Sequence, residues 1–142
     1  MNIDFEDDRA IRRLISEYCY CLDQHRLKDV GDLFAENGIW AAKYGSATGP
    51  AAIQTLLTKL VPVRPARKHF VTNVILDAEP DHVRAVSYYL VVREADAGGP
   101  QVSVVGTYFD RLQKIDGSWK FIHRKLQQDI AGDLGLALPT PS

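Results

Sequence analysis

The chain has 142 residues, 17 Lys and Arg against 18 Asp and Glu, a formal net charge of −1, 46% hydrophobic residues and 25% charged ones. These are values of an ordinary globular domain, long enough to bury roughly two thirds of its unfolded surface without a disulfide or metal staple. The balanced charge removes the attraction that supplies most nucleic-acid affinity. No apolar run nears the ~20 residues of a membrane span, and the acidic start, Met1 to Asp8, lacks the apolar region of a secretory signal, so a cytoplasmic single domain over 1–142 is expected.

Asp7 and Asp8 precede the first periodic apolar stretch and are placed to cap a helix. Ile11, Leu14, Ile15, Tyr18, Cys19 and Leu22 then follow the i, i+3, i+4, i+7 rule, which predicts an amphipathic helix over 8–22. Cys19 and Cys21 would point about 200° apart on it, which suits neither a disulfide nor a shared metal. They read as small apolar residues of a reduced protein. A second helix is predicted over 28–35, with Val30, Leu33 and Phe34 inward and Asn37-Gly38 ending it. Ile39 to Tyr44 reads as a short strand or extended arm. Gly49-Pro50 opens a third helix, with Ile53, Leu56, Leu57 and Leu60 as its buried stripe and Pro62 and Pro65 closing it.

From Arg67 the character changes. Residues 68–77, 82–94, 101–115 and 118–129 are rich in β-branched and aromatic side chains and are separated by turn signals, of which Asp116-Gly117 is a strong two-residue hairpin turn. Helices first and antiparallel strands afterwards predict an α+β domain, helices on one face of a curled sheet, with a core over about 5–130 and a loosely held tail over 131–142. The strands are apolar on both faces: Tyr88, Leu90 and Val92 alternate with Val83, Tyr89 and Val91, and Val102, Val104 and Tyr108 with Val105 and Phe109. An antiparallel sheet with one wet face alternates polar and apolar residues. Three short helices cover one face, so the other is expected to pack on a second copy, as a homodimer or homotrimer.

The candidates for chemistry are few. The histidines (His25, His69, His82, His123) form no metal-ligand spacing with each other or with the cysteines, so no metal is expected. There is no Gly-rich phosphate loop and no nucleophile elbow. Asp23 ends the first helical stripe, about 140° around from Tyr18 on a regular helix, so the two meet only if the helix ends there. His69 opens the first long strand and by alternation shares a face with Val71, Asn73 and Ile75. A carboxylate on one imidazole nitrogen would fix its tautomer and make the other nitrogen a base. Arg124 lies among apolar neighbours in the last strand and reads either as half of a buried ion pair or as an electrophile for a developing oxyanion. Trp40 and Tyr44 share a face of the short strand, as core or as pocket lining, and Tyr108 and Asn73 have the same double reading.

The segments Arg9 to Tyr18, Leu22-Asp23, Asp32 to Trp40, His69-Phe-Val-Thr-Asn73, Gly106 to Asp110, and Asp116-Gly-Ser-Trp-Lys-Phe121 with His123-Arg124 together resemble the SnoaL-like family of the nuclear transport factor 2-like superfamily. The resemblance implies a cone-shaped fold around a deep pocket. It is similar to the subgroup of scytalone dehydratase, bile-acid 7α-dehydratase and hexachlorocyclohexane dehydrochlorinase, which use an Asp–His base without a cofactor. Asp23 and His69 fall on that dyad, Arg124 on an assisting arginine and Tyr18 on a tyrosine of the bile-acid enzyme. Tyr44 only approximately matches a tyrosine that several dehydratases place after their Asp. The expectation is a cofactor-free lyase, dehydratase or isomerase acting on a small hydrophobic molecule (a polyketide, steroid or aromatic compound). The catalytic set is Asp23, His69, Arg124 and Tyr18, and the substrate-binding set is Trp40, Tyr44, Asn73 and Tyr108. The alternatives are a non-catalytic small-molecule binder and the small subunit of an aromatic ring-hydroxylating dioxygenase.

Overall fold

The structure is a computed structural model that describes residues 2–132. Its elements run α1 (Phe5–Asp23), α2 (Leu27–Asp32), β1 (Phe34–Ala42), β2 (Gly45–Thr48), α3 (Pro50–Leu60), β3 (Arg67–Ala78), β4 (Val83–Glu94), β5 (Pro100–Ile115) and β6 (Ser118–Ala131). The strands form one six-stranded sheet in the order β2-β1-β6-β5-β4-β3, curled but unclosed, with the helices packed against it. All neighbours are antiparallel except β1 and β6.

Helix α1 starts three residues before the expected position. Asp4 is its cap, accepting from the Asp7 backbone N–H at 2.8 Å. Asp7 instead accepts from the Trp119 indole N–H (3.0 Å) and Lys114 Nζ (3.3 Å), which ties the first turn to the β5–β6 hairpin. The predicted stripe is the buried one: Ile11, Leu14, Ile15, Tyr18, Cys19 and Leu22 all join the core. Each of the Ile and Leu side chains contributes about 1.5–3 kcal/mol of burial free energy.

The second helix is shorter than expected. It ends at Asp32, and Phe34 and Ala35 belong to β1, where Phe34 pairs with Phe121. Asn37-Gly38 is no helix stop but an irregularity inside the strand, where the register with β6 shifts between Phe34 and Ile39. A Cβ on Gly38 would sit 2.7 Å from the Phe121 carbonyl oxygen, so the close approach of β6 requires the glycine. A helix signal in six residues yields here to tertiary pairing.

The Asp116-Gly117 turn forms as expected, both residues with positive φ (49° and 80°), as in a type I′ hairpin. The predicted tail lies outside the described residues beyond Gly132, and β6 itself reaches Ala131. Bulges set which residues face inward. One at Ser103 separates Val102, half exposed on the outer face, from buried Val104. Another between Phe121 and His123 puts Phe121 and Arg124 on the same inner face.

Candidate active site

The helices and the inner face of the sheet line a partly open cavity of about 50 Å³. Its wall is apolar (Leu22, Leu57, Leu60, Val61, Val91, Val104, Leu126) with polar points at Tyr18, Tyr44, Arg67, His69, Ser103, Tyr108 and Gln128.

Asp23 is the last residue of α1, so its side chain leaves the helix where the chain turns. His25 follows in a left-handed conformation, and its Nε2–H donates to the Val61 carbonyl at 2.8 Å, tying the end of α1 to the end of α3 at the cavity edge. This places the Asp23 carboxylate against the start of β3. There it accepts from the His69 backbone N–H (2.9 Å, Oδ2) and from His69 Nδ1–H (2.6 Å, Oδ1). Both side chains are nearly buried, 7% and 10% exposed. A carboxylate only accepts, so Nδ1 carries a proton, and in the neutral ring Nε2 then presents its lone pair. Because the Asp23 bonds engage both the ring and the backbone, the imidazole is fixed in position as well as in tautomer.

Tyr18, Trp40 and Tyr44 join it. The Trp40 indole N–H donates to the Tyr18 hydroxyl at 2.8 Å, and the Trp40 and Tyr44 rings lie 6.2 Å apart. Burial raises the hydroxyl pKa values of Tyr18, Tyr44 and Tyr108 above their ordinary range, so each stays a neutral phenol. Burial likewise pushes the Cys19 thiol up to about 11, away from nucleophilic chemistry.

One expectation is corrected. Asn73 does not face the cavity. It has a φ of 56° and lies in the register shift between Thr72 and Ile75. The extra residue flips the strand's parity, leaving His69 and Val71 inward but Asn73 and Ile75 exposed. Asn73→Gly should therefore leave ligand binding unchanged and keep the melting temperature at or above that of the parent, whereas Asn73→Val should lower it, as thermal denaturation will show.

Arg124 is fully buried but is not among the cavity-lining residues. Asp110 holds it with two bonds of 2.8 Å, from Nε to Oδ1 and from a terminal nitrogen to Oδ2. Its guanidinium carbon lies 4.2, 3.8 and 4.4 Å from the ring centres of Tyr18, Tyr108 and Phe121. Burial opposes its charge, but Asp110 holds its pKa above the ordinary value; burial in turn raises the Asp110 carboxyl against the pull of Arg124. The buried pair of the sequence reading is present in the structure, and it engages Nε and one terminal nitrogen of Arg124. Its other terminal nitrogen, Nη1, is buried and has no hydrogen-bond partner among the described residues.

Sequence reasoning misses Asp110, Arg67, Tyr89 and Gln128. A signal existed for three of them. Asp110 alternates with Tyr108 on a strand face that is otherwise apolar and stands opposite Arg124. Arg67 sits two residues before His69, and its guanidinium donates to the Pro65 carbonyl at 3.1 Å. Gln128 lies four residues after Arg124 on the same side of β6.

Residues 4–125 match the profile of the SnoaL-like domain. The chain belongs to the SnoaL-like family. A proposed scytalone dehydratase from Novosphingobium aromaticivorans is similar over 95% of this chain and 92% of its own, at 27% identity and a TM-score of 0.76. ActVI-ORFA from Streptomyces coelicolor is similar over 85% and 96%, at 21% identity and TM-score 0.74. The beta subunit of a proposed aromatic-ring-hydroxylating dioxygenase from Novosphingobium aromaticivorans covers 92% and 95%, at 18% identity and TM-score 0.73. At those identities the last two establish the shared fold alone. No functionally curated protein matches the sequence. Among the described residues of this SnoaL-like chain, no helix is long and apolar enough to cross a membrane, and no three His, Cys, Asp or Glu side chains cluster to hold a metal ion.

Proposed function

We propose that this SnoaL-like protein is a cofactor-free lyase of the dehydratase type, or an isomerase of related mechanism, with the Asp23–His69 pair as its base. One observation carries the reading: a histidine in the wall of an apolar cavity, its Nδ1 held at 2.6 Å by a nearly buried carboxylate. His69 Nε2 takes a proton from a carbon next to a carbonyl. The C–H electron pair becomes the new C=C bond as the C–O bond breaks, and the imidazolium returns its proton to the departing hydroxide as water. In an isomerase the proton returns to another carbon of the enolate. Tyr18, whose oxygen already accepts from Trp40, has its own O–H to offer the developing enolate oxygen.

The apolar wall supports a hydrophobic substrate. The small volume argues against a steroid or a multi-ring polyketide. The test is water loss from a panel of small cyclic β-hydroxy ketones, followed by the absorbance of the conjugated product, with His69→Gln as the control. A non-catalytic binder is the alternative, favoured by the sequestering of Arg124 against Asp110. Ligand binding without turnover in the parent protein, unchanged by Asp23→Asn, would establish it instead.

The outer face of β3 to β6 supports the expected self-association. Phe70, Ile75, Tyr88, Val102, Phe109 and Ile130 are all partly or largely exposed there, more apolar surface than a single copy keeps in water. We infer that a second copy covers it. Sedimentation at micromolar concentration should give a dimer or trimer, and Tyr88→Glu with Phe109→Glu should give a monomer that keeps its fold by circular dichroism.

A further inference from the structure

Two polar atoms in the cavity wall take no part in the chemistry above. The Tyr108 side chain is fully buried, and its hydroxyl has no hydrogen-bond partner among the described residues; the Gln128 Oε1 is likewise buried and without one. Native interiors leave few such atoms, because desolvating them without a partner is costly. Both side chains line the cavity. They also stand side by side. On the β5–β6 ladder Tyr108 pairs with Leu126 and Gly106 with Gln128, so the two project from the same face as diagonal neighbours.

The residues around them fix this arrangement. Tyr89 stacks on Tyr108, with ring centres 4.3 Å apart and an interplanar angle of 15°. Tyr89 lies flat because Gly106 has no side chain: a Cβ there would come within 2.5 Å of the Tyr89 ring. The Tyr108 ring is also packed against the Arg124 guanidinium, which leaves it little freedom to turn. On the other side, Gln128 is near enough to the Tyr44 hydroxyl to oppose the rise in its pKa that burial causes. The pair therefore presents one donor and one acceptor, both held in place, on strands two and three removed from β3 and His69.

We propose that Tyr108 and Gln128 form a recognition point for a hydroxyl group on the ligand, separate from the base. The Tyr108 O–H donates to the ligand oxygen, and Gln128 Oε1 accepts the ligand's O–H proton. The substrate class is accordingly a small cyclic or aromatic molecule that carries a hydroxyl in addition to the group His69 acts on. Neither half suffices alone: an ether would satisfy Tyr108 but leave Gln128 unpaired, and a methyl would leave both unpaired. The proposal rests on the cavity being a ligand site, as in the reading above, but not on His69 acting as a base.

Phenol and toluene test it, since they share a shape and differ in the hydroxyl alone. Titration of each into the intact protein, followed by calorimetry or by amide chemical shifts, should show phenol bound at least about tenfold more tightly. Tyr108→Phe should cut phenol affinity by about fivefold or more and leave toluene unchanged, and Gln128→Leu should do the same. Both variants are checked for a parental melting curve. His69→Gln should keep the phenol preference. Equal affinity for the two probes overturns the proposal, as does a preference that survives both Tyr108→Phe and Gln128→Leu, or one abolished by His69→Gln. Failure of phenol to bind at millimolar concentration overturns it as well. Loss of the lyase reading would show differently, as a retained phenol preference with no turnover of any β-hydroxy ketone.

Discussion

His69→Gln should lower kcat for water loss by about 10³-fold while leaving KM within a few-fold of the parent. Glutamine keeps the volume and polarity of the side chain but offers no basic nitrogen, so binding persists while proton abstraction stops. Asp23→Asn should act almost as strongly, by about 10²- to 10⁴-fold, for a different reason. An amide NH₂ facing Nδ1 favours the tautomer in which Nδ1 accepts and Nε2 carries the proton, so the nitrogen facing the substrate is no longer a base. The structure adds a second loss in Asp23→Asn, because Asp23 also accepts from the His69 backbone N–H at 2.9 Å. Replacing it loosens the start of β3 as well as the ring. Asp23→Glu separates the two effects. It keeps an acceptor of the right charge but displaces it by one methylene, so it should recover part of kcat if the charge dominates and none if position does. A His69→Gln protein with parental kcat would remove His69 from the mechanism.

Asp110→Ala should destabilise the fold by about 3–5 kcal/mol, lowering Tm by on the order of 10 °C. The cause is what remains behind. Arg124 is fully buried and ringed by Tyr18, Tyr108 and Phe121, so without Asp110 its charge has neither water nor a counter-ion. Removing both charges should be far milder: Asp110→Leu with Arg124→Met replaces the pair by apolar groups of similar volume, which in buried sites is often neutral or better. The double variant should therefore melt above Asp110→Ala, and its non-additivity measures the coupling directly. If Asp110→Ala lost less than about 1 kcal/mol by urea denaturation, water would have to reach Arg124 in the native protein. The pair sits behind two of the tyrosines that line the cavity, so its loss should also weaken ligand binding through their displacement.

The fold was legible in the sequence wherever local rules agree with one another. The stripe from Ile11 to Leu22 fixes the buried face of α1. Gly49-Pro50 starts α3 and Asp116-Gly117 makes the last hairpin, because few other residues take those backbone conformations. The change from helical to strand composition at Arg67 sets the α+β order. Asp23 and His69 were marked by their residue types and by the segments that resemble the SnoaL-like family. Their meeting across 46 positions, at 2.6 Å, is a tertiary fact.

What the sequence could not contain are the points where one strand slips against another. Strict alternation puts Asn73 on the His69 face, and the bulge between Thr72 and Ile75 puts it outside. A run of helix-favouring residues continues through Phe34 and Ala35, yet pairing with β6 claims them for β1. Arg124 carries a charge that must be answered, but only the β5–β6 register shows that Asp110 pairs with it. The same register sets Tyr108 beside Gln128. A period-2 pattern records which residues alternate. It does not record where an extra residue shifts the count, because that is decided by the cross-strand contacts on either side of the bulge.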